Sequence, residues 1–432
     1  MAGVTRHIKA YLGFYLVAIF MLTNGSFFGW LLRGAPLNMW RQLIWICGLA
    51  VCYRLVPRIN VRQLRHIFKV EGGLAFGVLL LSLVTVWQYD FNYLRIVYAY
   101  WMYFAGLPFI CLPFLVAKTR YISPKAFYGI FTYLGLFLSI GLIADYASGG
   151  YFTERFLINN TEGLDGLLDD GRYCFLSEAP TTFGVYYAFC MFCGFMRMTM
   201  AKTFLSKFYF LAICVSFIVG SWFTGSRQIV LVLGMMFIGG NLFYLIKGKG
   251  IKAHIIVGGI LVACYAPALV SSVLMEEKSY SNRYSESSLK EDTRSGAWKR
   301  GFDETIADDI TVALIGKAVA LSQGQKAMPT EIVGSHYENT FFGRLSECGL
   351  IGLILLCYPV YYIVRRLGRW DLFQTLVILF LISYLTTCFV SPNGQHPTTQ
   401  TVLFVVLGMF MCRDYFDIEA TPIRRCLTRG GR

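Results

Sequence analysis

Apolar residues run through this chain in long blocks that are separated by short charged clusters. About 20 consecutive apolar residues cross the hydrocarbon core of a bilayer as an α-helix. The pattern therefore predicts an all-α polytopic membrane protein, with residues 1–432 forming one integral membrane domain of about twelve transmembrane helices. The predicted spans are 11–32, 42–56, 73–89, 96–117, 126–147, 183–200, 208–224, 228–246, 253–274, 345–364, 371–390 and 399–412.

Composition supports this fold class. Hydrophobic residues make up 56 % of the chain and charged residues 15 %, whereas about 25 % of the residues in soluble domains are charged. This composition excludes a disordered or fibrous chain and argues against a soluble enzyme. The first apolar block has no small-residue cleavage site, so we expect it to be retained as a span.

The distribution of charge predicts the orientation. If the N-terminus is cytoplasmic, most of the 39 Lys and Arg residues fall in cytoplasmic segments and most of the 25 Asp and Glu residues fall in outer segments. Both termini are then cytoplasmic, and the two long loops, 148–182 and 275–337, face outward. The net charge of +14 thus reflects membrane topology and attraction to anionic lipid, with no nucleic-acid partner.

Two arginines and a carboxylate are candidates at the first outer segments. Loop 148–182 ends with Arg172 and then Glu178, which lies at the mouth of the sixth predicted span. Glu178 is equally consistent with a simple helix-start signal. Arg227 lies in the very short turn 224–228, where small residues would let a ligand approach. Arg suits phosphate oxygens, although an arginine that only snorkels at a helix end is the alternative.

The second long loop adds a predicted helix and a polar cluster. Arg294, Trp298 and Phe302 are four residues apart, which predicts an amphipathic helix with the two aromatic residues packed on the membrane or the bundle. Arg294 either points at an anionic headgroup or belongs to a plain interfacial helix. Further along, the loop re-enters the membrane through a polar stretch that holds His336, Tyr337, Glu338, Asn339, Arg344 and Glu347. His336 is a candidate general base for a sugar hydroxyl; a structural histidine is the alternative.

Four motifs occur in a characteristic order: SEAPTTFG before one span, TGSRQIVLVL at the start of another, RSGAW in the long outer loop, and SHYEN followed by ECGLIG at its end. From about residue 170 to 365 the chain resembles the O-antigen polymerase (Wzy-type) and O-antigen ligase (WaaL-type) superfamily. The resemblance implies a GT-C-like fold in the bacterial inner membrane. It also implies transfer of a glycan from undecaprenyl pyrophosphate to a hydroxyl on the outer face.

The resemblance also implies residue roles. The family histidine that acts near the acceptor hydroxyl corresponds to His336, and the arginines that bind pyrophosphate correspond to Arg227 and Arg294. The family often has an asparagine next to this histidine, whereas here the amide is displaced to Asn339. We also expect Arg172, Tyr337, Glu338, Asn339 and Arg344 to contact the substrate. A chain-length regulator and a flippase are partners that the resemblance implies.

The chemistry of the candidates agrees with such a transfer. Arginines can stabilise a pyrophosphate leaving group without a metal, and Glu178 can stabilise oxocarbenium character at the donor sugar. No Asp-x-Asp motif occurs in an outer loop, so we expect a metal-independent, cofactor-free glycosyltransferase that inverts the donor carbon.

Three other functions are compatible with the sequence. A ligase that transfers the glycan to lipid A-core is the nearest alternative. We favour a polymerase because there are two substantial outer loops and because the SEAP segment resembles that of repeat-unit polymerases. A transporter or flippase is disfavoured because the charges cluster at span ends and no two-half repeat is present. A structural or assembly membrane protein would share the outward-facing polar surface.

Overall fold

The computed structural model describes residues 62–86, 106–120, 122–156, 172–176, 183–246, 294–307, 310–316, 339–368, 370–391 and 397–417. These residues form helices joined by turns and one short non-helical segment, 172–176, and contain no strand. The helices are α1 (Arg62–Val86), α2 (Cys111–Thr119, after the 3₁₀ turn Leu107–Ile110), α3 (Pro124–Ala147), α4 (Tyr151–Phe156), α5 (Phe183–Met200), α6 (Phe204–Trp222), α7 (Arg227–Ile246), α8 (Arg294–Phe302, followed by the π-helical turn Asp303–Ala307), α9 (Ile310–Ile315), α10 (Thr340–Val364), α11 (Leu372–Val390), α12 (Pro397–Met411) and α13 (Arg413–Phe416).

The all-helical prediction is confirmed for this part of the chain. The helices α3, α6, α10 and α11 are each long and apolar enough to cross a membrane, and shorter apolar helices cover 107–118, 228–244 and 398–411. The predicted spans 126–147, 183–200, 208–224, 228–246, 345–364, 371–390 and 399–412 agree with helices to within about five residues. The predicted span 96–117 coincides with helical residues from Leu107 onward, and its first part, 96–105, lies outside the described residues. The predicted spans 11–32, 42–56 and 253–274 lie outside the described residues.

Polar side chains define where several helices begin. Ser123 precedes α3 and accepts a hydrogen bond from the Ala126 amide at 3.1 Å. Asp371 precedes α11 and accepts one from the Gln374 amide at 2.8 Å. Each side chain satisfies an amide that has no partner within the first helical turn. These caps therefore determine the residue at which each apolar helix begins.

Helix α5 forms the centre of the bundle. Its first fourteen residues are all buried, and it contacts α3, α6, α7, α11 and α12. Small residues allow this close packing, because a Cβ at Gly194 would lie 2.5 Å from Cys214 Sγ on α6. Close backbone approach of this kind is common between helices in membranes.

The bundle places polar side chains inside and apolar side chains outside. On α3, Ser139 is fully buried whereas Ile140 is 57 % exposed. On α11, Ser383 and Thr387 are buried and Phe389 is 49 % exposed. This arrangement would destabilise a protein in water, whereas a hydrocarbon solvent favours it. Burial thus agrees with the apolar composition.

The two ends of the bundle are distinct. At one end, here called the Tyr415 end, Tyr415 Oη donates to the Ile122 carbonyl at 2.8 Å and Tyr128 Oη donates to the Phe416 carbonyl at 2.9 Å. The opposite end, here called the Asn339 end, contains the start of α10 and the end of α11. It also carries the short α6–α7 turn and segment 172–176.

Helices α8 and α9 pack on the first half of α10 at the Asn339 end. Gly349 interrupts α10 with a φ of 59°, and the Leu314 carbonyl lies where a Cβ would stand. Trp298 on α8 packs against Phe389, with 4.6 Å between the ring centres. The helix predicted from the four-residue spacing is thus confirmed, but Phe302 on the same helix is 48 % exposed.

Candidate functional site

Several segments that carry predicted site residues meet at the Asn339 end. The amide of Tyr173 donates to the Phe223 carbonyl at 3.1 Å, which joins the segment containing Arg172 to the turn before Arg227. A Cβ at Gly184 would lie 3.5 Å from Ile229 on α7 and 3.9 Å from Thr387 on α11. The starts of α5 and α7 therefore lie beside the end of α11.

Segment 172–176 is held by two buried side chains. Asp145 Oδ1 accepts hydrogen bonds from the Phe152 and Thr153 amides at 2.9 and 3.0 Å. Asp145 Oδ2 accepts from the Phe175 amide at 3.0 Å and from the Thr153 hydroxyl. The Cys174 amide donates to Thr153 Oγ1 at 2.8 Å. One carboxylate thus connects the end of α3, the start of α4 and segment 172–176.

The backbone of this segment adopts an unusual conformation. Phe175 has a φ of 47°, which is uncommon for a residue with a side chain. Its ring lies over Gly141, where a Cβ would clash with it, and 5.5 Å from the ring of Phe152. The neighbouring thiol of Cys174 is fully buried. Burial, together with the negative charge of Asp145, raises the pKa of Cys174.

The turn before Arg227 is as short as the sequence predicts. Thr224 Oγ1 donates to the Ser221 carbonyl at 2.6 Å, and the Ser226 amide donates to Thr224 Oγ1 at 3.3 Å. Gly225 has a φ of 61°, a conformation that glycine adopts without strain. Arg227 is the first residue of α7, and its side chain lies outside the described part of the chain.

Asn339 fixes the start of α10. Its Oδ1 accepts hydrogen bonds from the Phe341 and Phe342 amides at 2.8 and 3.2 Å, and its Nδ2 donates to the Phe389 carbonyl at 2.9 Å. The displaced amide of the SHYEN motif is therefore a helix cap that also ties α10 to α11.

Arg344 lies inside the bundle. It is only 2 % exposed. Together with Glu71, Tyr384 and Gln400 it lines a cavity of about 10 Å³, near the minimum size that holds one water molecule. Arg344 therefore borders a polar interior and not an open surface.

The remaining predicted site residues are only partly described. His336, Glu178, Tyr337 and Glu338 lie outside the described residues. Arg294 is the first residue of α8, and nothing is described of its side chain. In the described residues no group of three or more His, Cys, Asp or Glu side chains could hold a metal ion.

Asp145, Thr153 and Glu71 were not predicted from the sequence. A signal for Asp145 is present, because an acidic residue in the last turn of a helix opposes the helix dipole and needs a compensating contact. Glu71 shows no comparable signal, since it stands at the edge of a predicted span and its burial depends on α10. Its Oε1 atom has no hydrogen-bond partner among the described residues.

No protein-family model matches the chain, and none of the curated proteins is significantly similar to it.

Proposed function

We propose that this protein is a bacterial surface-polysaccharide polymerase of the inner membrane. It would transfer a glycan from undecaprenyl pyrophosphate to a sugar hydroxyl of a lipid-linked repeat unit on the outer face. The observation that carries the proposal is the hydrogen bond from the Tyr173 amide to the Phe223 carbonyl. It joins the segments of Arg172 and Arg227 at the end of the apolar bundle where α10 begins.

The arginines bind the pyrophosphate in this proposal. Arg172 and Arg227 belong to segments that are joined to each other, and Arg294 begins the helix that packs at the same end. Guanidinium groups bind phosphate oxygens through paired donors. Cations placed where the leaving group gains negative charge lower the barrier to its departure.

The transfer itself is a single displacement. The acceptor oxygen bonds to the anomeric carbon while the bond from that carbon to the pyrophosphate oxygen breaks. His336 takes the proton of the acceptor hydroxyl, and undecaprenyl pyrophosphate leaves as an anion. Glu178 stabilises positive charge at the donor sugar. Tyr337 and Glu338, beside His336 in sequence, hold the acceptor.

Deletion of the gene tests this proposal. Surface glycan and undecaprenyl-linked glycan are analysed separately in the deletion strain and in a complemented strain. Single repeat units that accumulate while polymer is absent support the polymerase. Long polymer that remains on undecaprenyl pyrophosphate, with none on lipid A-core, indicates the ligase instead. A normal glycan profile with altered cell shape indicates an assembly protein.

One observation favours a transporter as the second candidate. The sequence predicts that charged residues lie at span ends. Glu71, however, lies well inside α1 and lines a cavity with Leu355 and Pro359 of α10. Ionisable residues buried between membrane helices often mark ion or substrate pathways. Repeat units that stay on the cytoplasmic leaflet of the deletion strain would indicate this function.

A further inference from the structure

We propose that Asp145 and Thr153 form a clamp that fixes segment 172–176 and so positions Arg172 beside the turn that precedes Arg227. The two arginines are then presented together to one phosphate-bearing ligand. Asp145 and Thr153 are positioning residues, because their polar atoms contact protein. The clamp is argued from its own contacts, whereas its purpose, the presentation of Arg172 to a diphosphate, rests on the proposed function.

Three consecutive backbone amides support the clamp. The Tyr173 amide donates to Phe223, the Cys174 amide to Thr153 Oγ1, and the Phe175 amide to Asp145 Oδ2 and also to Thr153 Oγ1 at 3.3 Å. A loop that only connects two helices runs over the surface and bonds mainly to water. Here every backbone amide from 173 to 175 donates a hydrogen bond to another part of the protein. These bonds fix the backbone next to Arg172.

The conformation of Phe175 is a second, independent sign. A residue with a side chain persists at positive φ only where its surroundings determine it. The ring of Phe175 is held over Gly141 and between Phe137 and Phe152, with ring-centre distances of 5.8 and 5.5 Å. Asp145 thus holds the backbone of Phe175, and the aromatic contacts (here called the aromatic seat) hold its ring.

The carboxylate is suited to this task because it only accepts hydrogen bonds. Asp145 is fully buried and receives donors on both oxygens, which compensates for the loss of hydration. In Asp145→Asn one oxygen remains and can still receive the Phe152 and Thr153 amides. The new NH₂ group then faces the Phe175 amide and the Thr153 hydroxyl, which are donors. This variant should release segment 172–176 while α4 keeps its cap.

Cys174 reports the state of the clamp. Its thiol is buried, so a maleimide reaches it only when segment 172–176 opens. Cys190 and Cys193 lie on the same tryptic peptide, between Arg172 and Arg197, and are fully buried in the central helix α5. Labelling of the purified full-length protein, located by peptide mass spectrometry, therefore separates local release at Cys174 from global unfolding.

The variants are Asp145→Asn, Thr153→Val and Gly141→Ala, which disturb the carboxylate, the hydroxyl and the aromatic seat. Thr153→Ser keeps the hydroxyl and should behave as the wild type. Ser148→Ala is the matched control, because Ser148 Oγ donates to the Asp145 carbonyl at 3.0 Å and not to its carboxylate. We expect labelling of Cys174 to accelerate by about tenfold or more in the three variants, without labelling of Cys190 or Cys193.

Two results would overturn the clamp. One is that Cys174 labels at the wild-type rate in Asp145→Asn, Thr153→Val and Gly141→Ala alike. The other is that Cys190 and Cys193 label together with Cys174 in all three, because Asp145 would then support the whole bundle.

The released thiol should also regain an ordinary pKa of about 8.5, so labelling should be about tenfold faster at pH 8 than at pH 7.

The proposed purpose of the clamp is tested separately, by measuring surface polymer in cells that carry each variant. If the proposed function holds, Asp145→Asn reduces surface polymer as Arg172→Ala does, while Ser148→Ala does not. Release of Cys174 with a normal glycan leaves the clamp in place but removes its proposed purpose. Loss of polymer without release of Cys174 overturns the clamp and leaves the proposed function standing.

Discussion

Tyr173 and Phe223 are fifty residues apart in the chain, yet the amide of the first donates to the carbonyl of the second at 3.1 Å. The residue before Tyr173 is Arg172, and Arg227 follows Phe223 by four positions. A loop and a helix–helix turn, each with one candidate cation, thus share a backbone hydrogen bond. This relationship leads to a test of whether both cations act on one ligand.

If the proposed function holds, we expect Arg172→Ala and Arg227→Ala each to reduce polymer synthesis by about a hundredfold, because each removes a cation that would stabilise the leaving pyrophosphate. Lysine variants should recover only part of the activity, since lysine lacks the paired donors. Transfer is measured in membranes with undecaprenyl-linked repeat units as substrate. The double variant should lose less than the product of the single losses if both arginines hold the same phosphate.

The control for this prediction is Arg155→Ala. Arg155 is exposed on the neighbouring helix α4, so its removal changes the net charge of this region to the same extent. Equal activity of all three alanine variants and the wild type, at equal protein levels, would show that neither predicted arginine contributes to transfer.

Asn339 offers a stability prediction that separates its two contacts. Asn339→Ala removes the cap of α10 and the bond to the Phe389 carbonyl, and we expect it to lower the free energy of unfolding by about 1–2 kcal/mol. Asn339→Asp keeps an oxygen for the Phe341 and Phe342 amides but loses the Nδ2 donor, so it should lie between the wild type and Asn339→Ala. Thermal unfolding in detergent measures both. Identical midpoints for both variants would contradict this division.

The fold was largely predictable where the apolar pattern decides it. The predicted span 183–200 coincides with α5, because every face of that helix is buried and its ends are marked by polar residues. Helix α1 begins at Arg62, well before the predicted span 73–89. The extension carries Arg65 and Lys69 on exposed faces, and a hydropathy window does not detect a helix that is polar on one side.

The site was less predictable because its contacts join distant residues. The short turn before Arg227 followed from a local signal of small residues. Asp145 could not be assigned in the same way, since its partners lie 7, 8 and 30 residues further along the chain. The role of Asn339 as a helix cap was not predicted either, because its bond to the Phe389 carbonyl depends on the position of α11.

Gly349 provides a test of the packing of α9 on α10. We expect Gly349→Ala to cost at least about 2 kcal/mol, because a Cβ would meet the Leu314 carbonyl and the residue has a positive φ. Gly72→Ala is the matched control, since nothing lies within 4 Å of a Cβ at this position in α1 and alanine favours a helix. Both midpoints are measured by thermal unfolding. If Gly349→Ala were as stable as Gly72→Ala, α9 would not rest on α10 as described.

Glu71 distinguishes the proposed polymerase from a transporter. Its carboxyl group is buried beside a cavity near the minimum size for one water molecule. Glu71→Gln keeps the shape of the side chain and removes its capacity to carry charge. In the proposed polymerase the charge of Glu71 takes no part in the transfer, so polymer length should stay within about twofold of the wild type. A transporter that uses Glu71 as a charge-bearing group should lose movement of the repeat unit.

For Glu71→Gln we measure which leaflet holds the undecaprenyl-linked repeat unit. Intact cells are treated with a membrane-impermeant reagent that oxidises sugars, so that only repeat units on the outer leaflet react. Glu154→Gln is the control, since Glu154 is exposed on α4 and the variant makes the same chemical change outside the bundle. Because both proposals predict folded protein, expression and thermal stability are compared first. Repeat units that become inaccessible only in Glu71→Gln would favour the transporter. Repeat units that remain accessible, together with polymer of normal length, agree with a polymerase in which Glu71 serves the packing of α1 on α10.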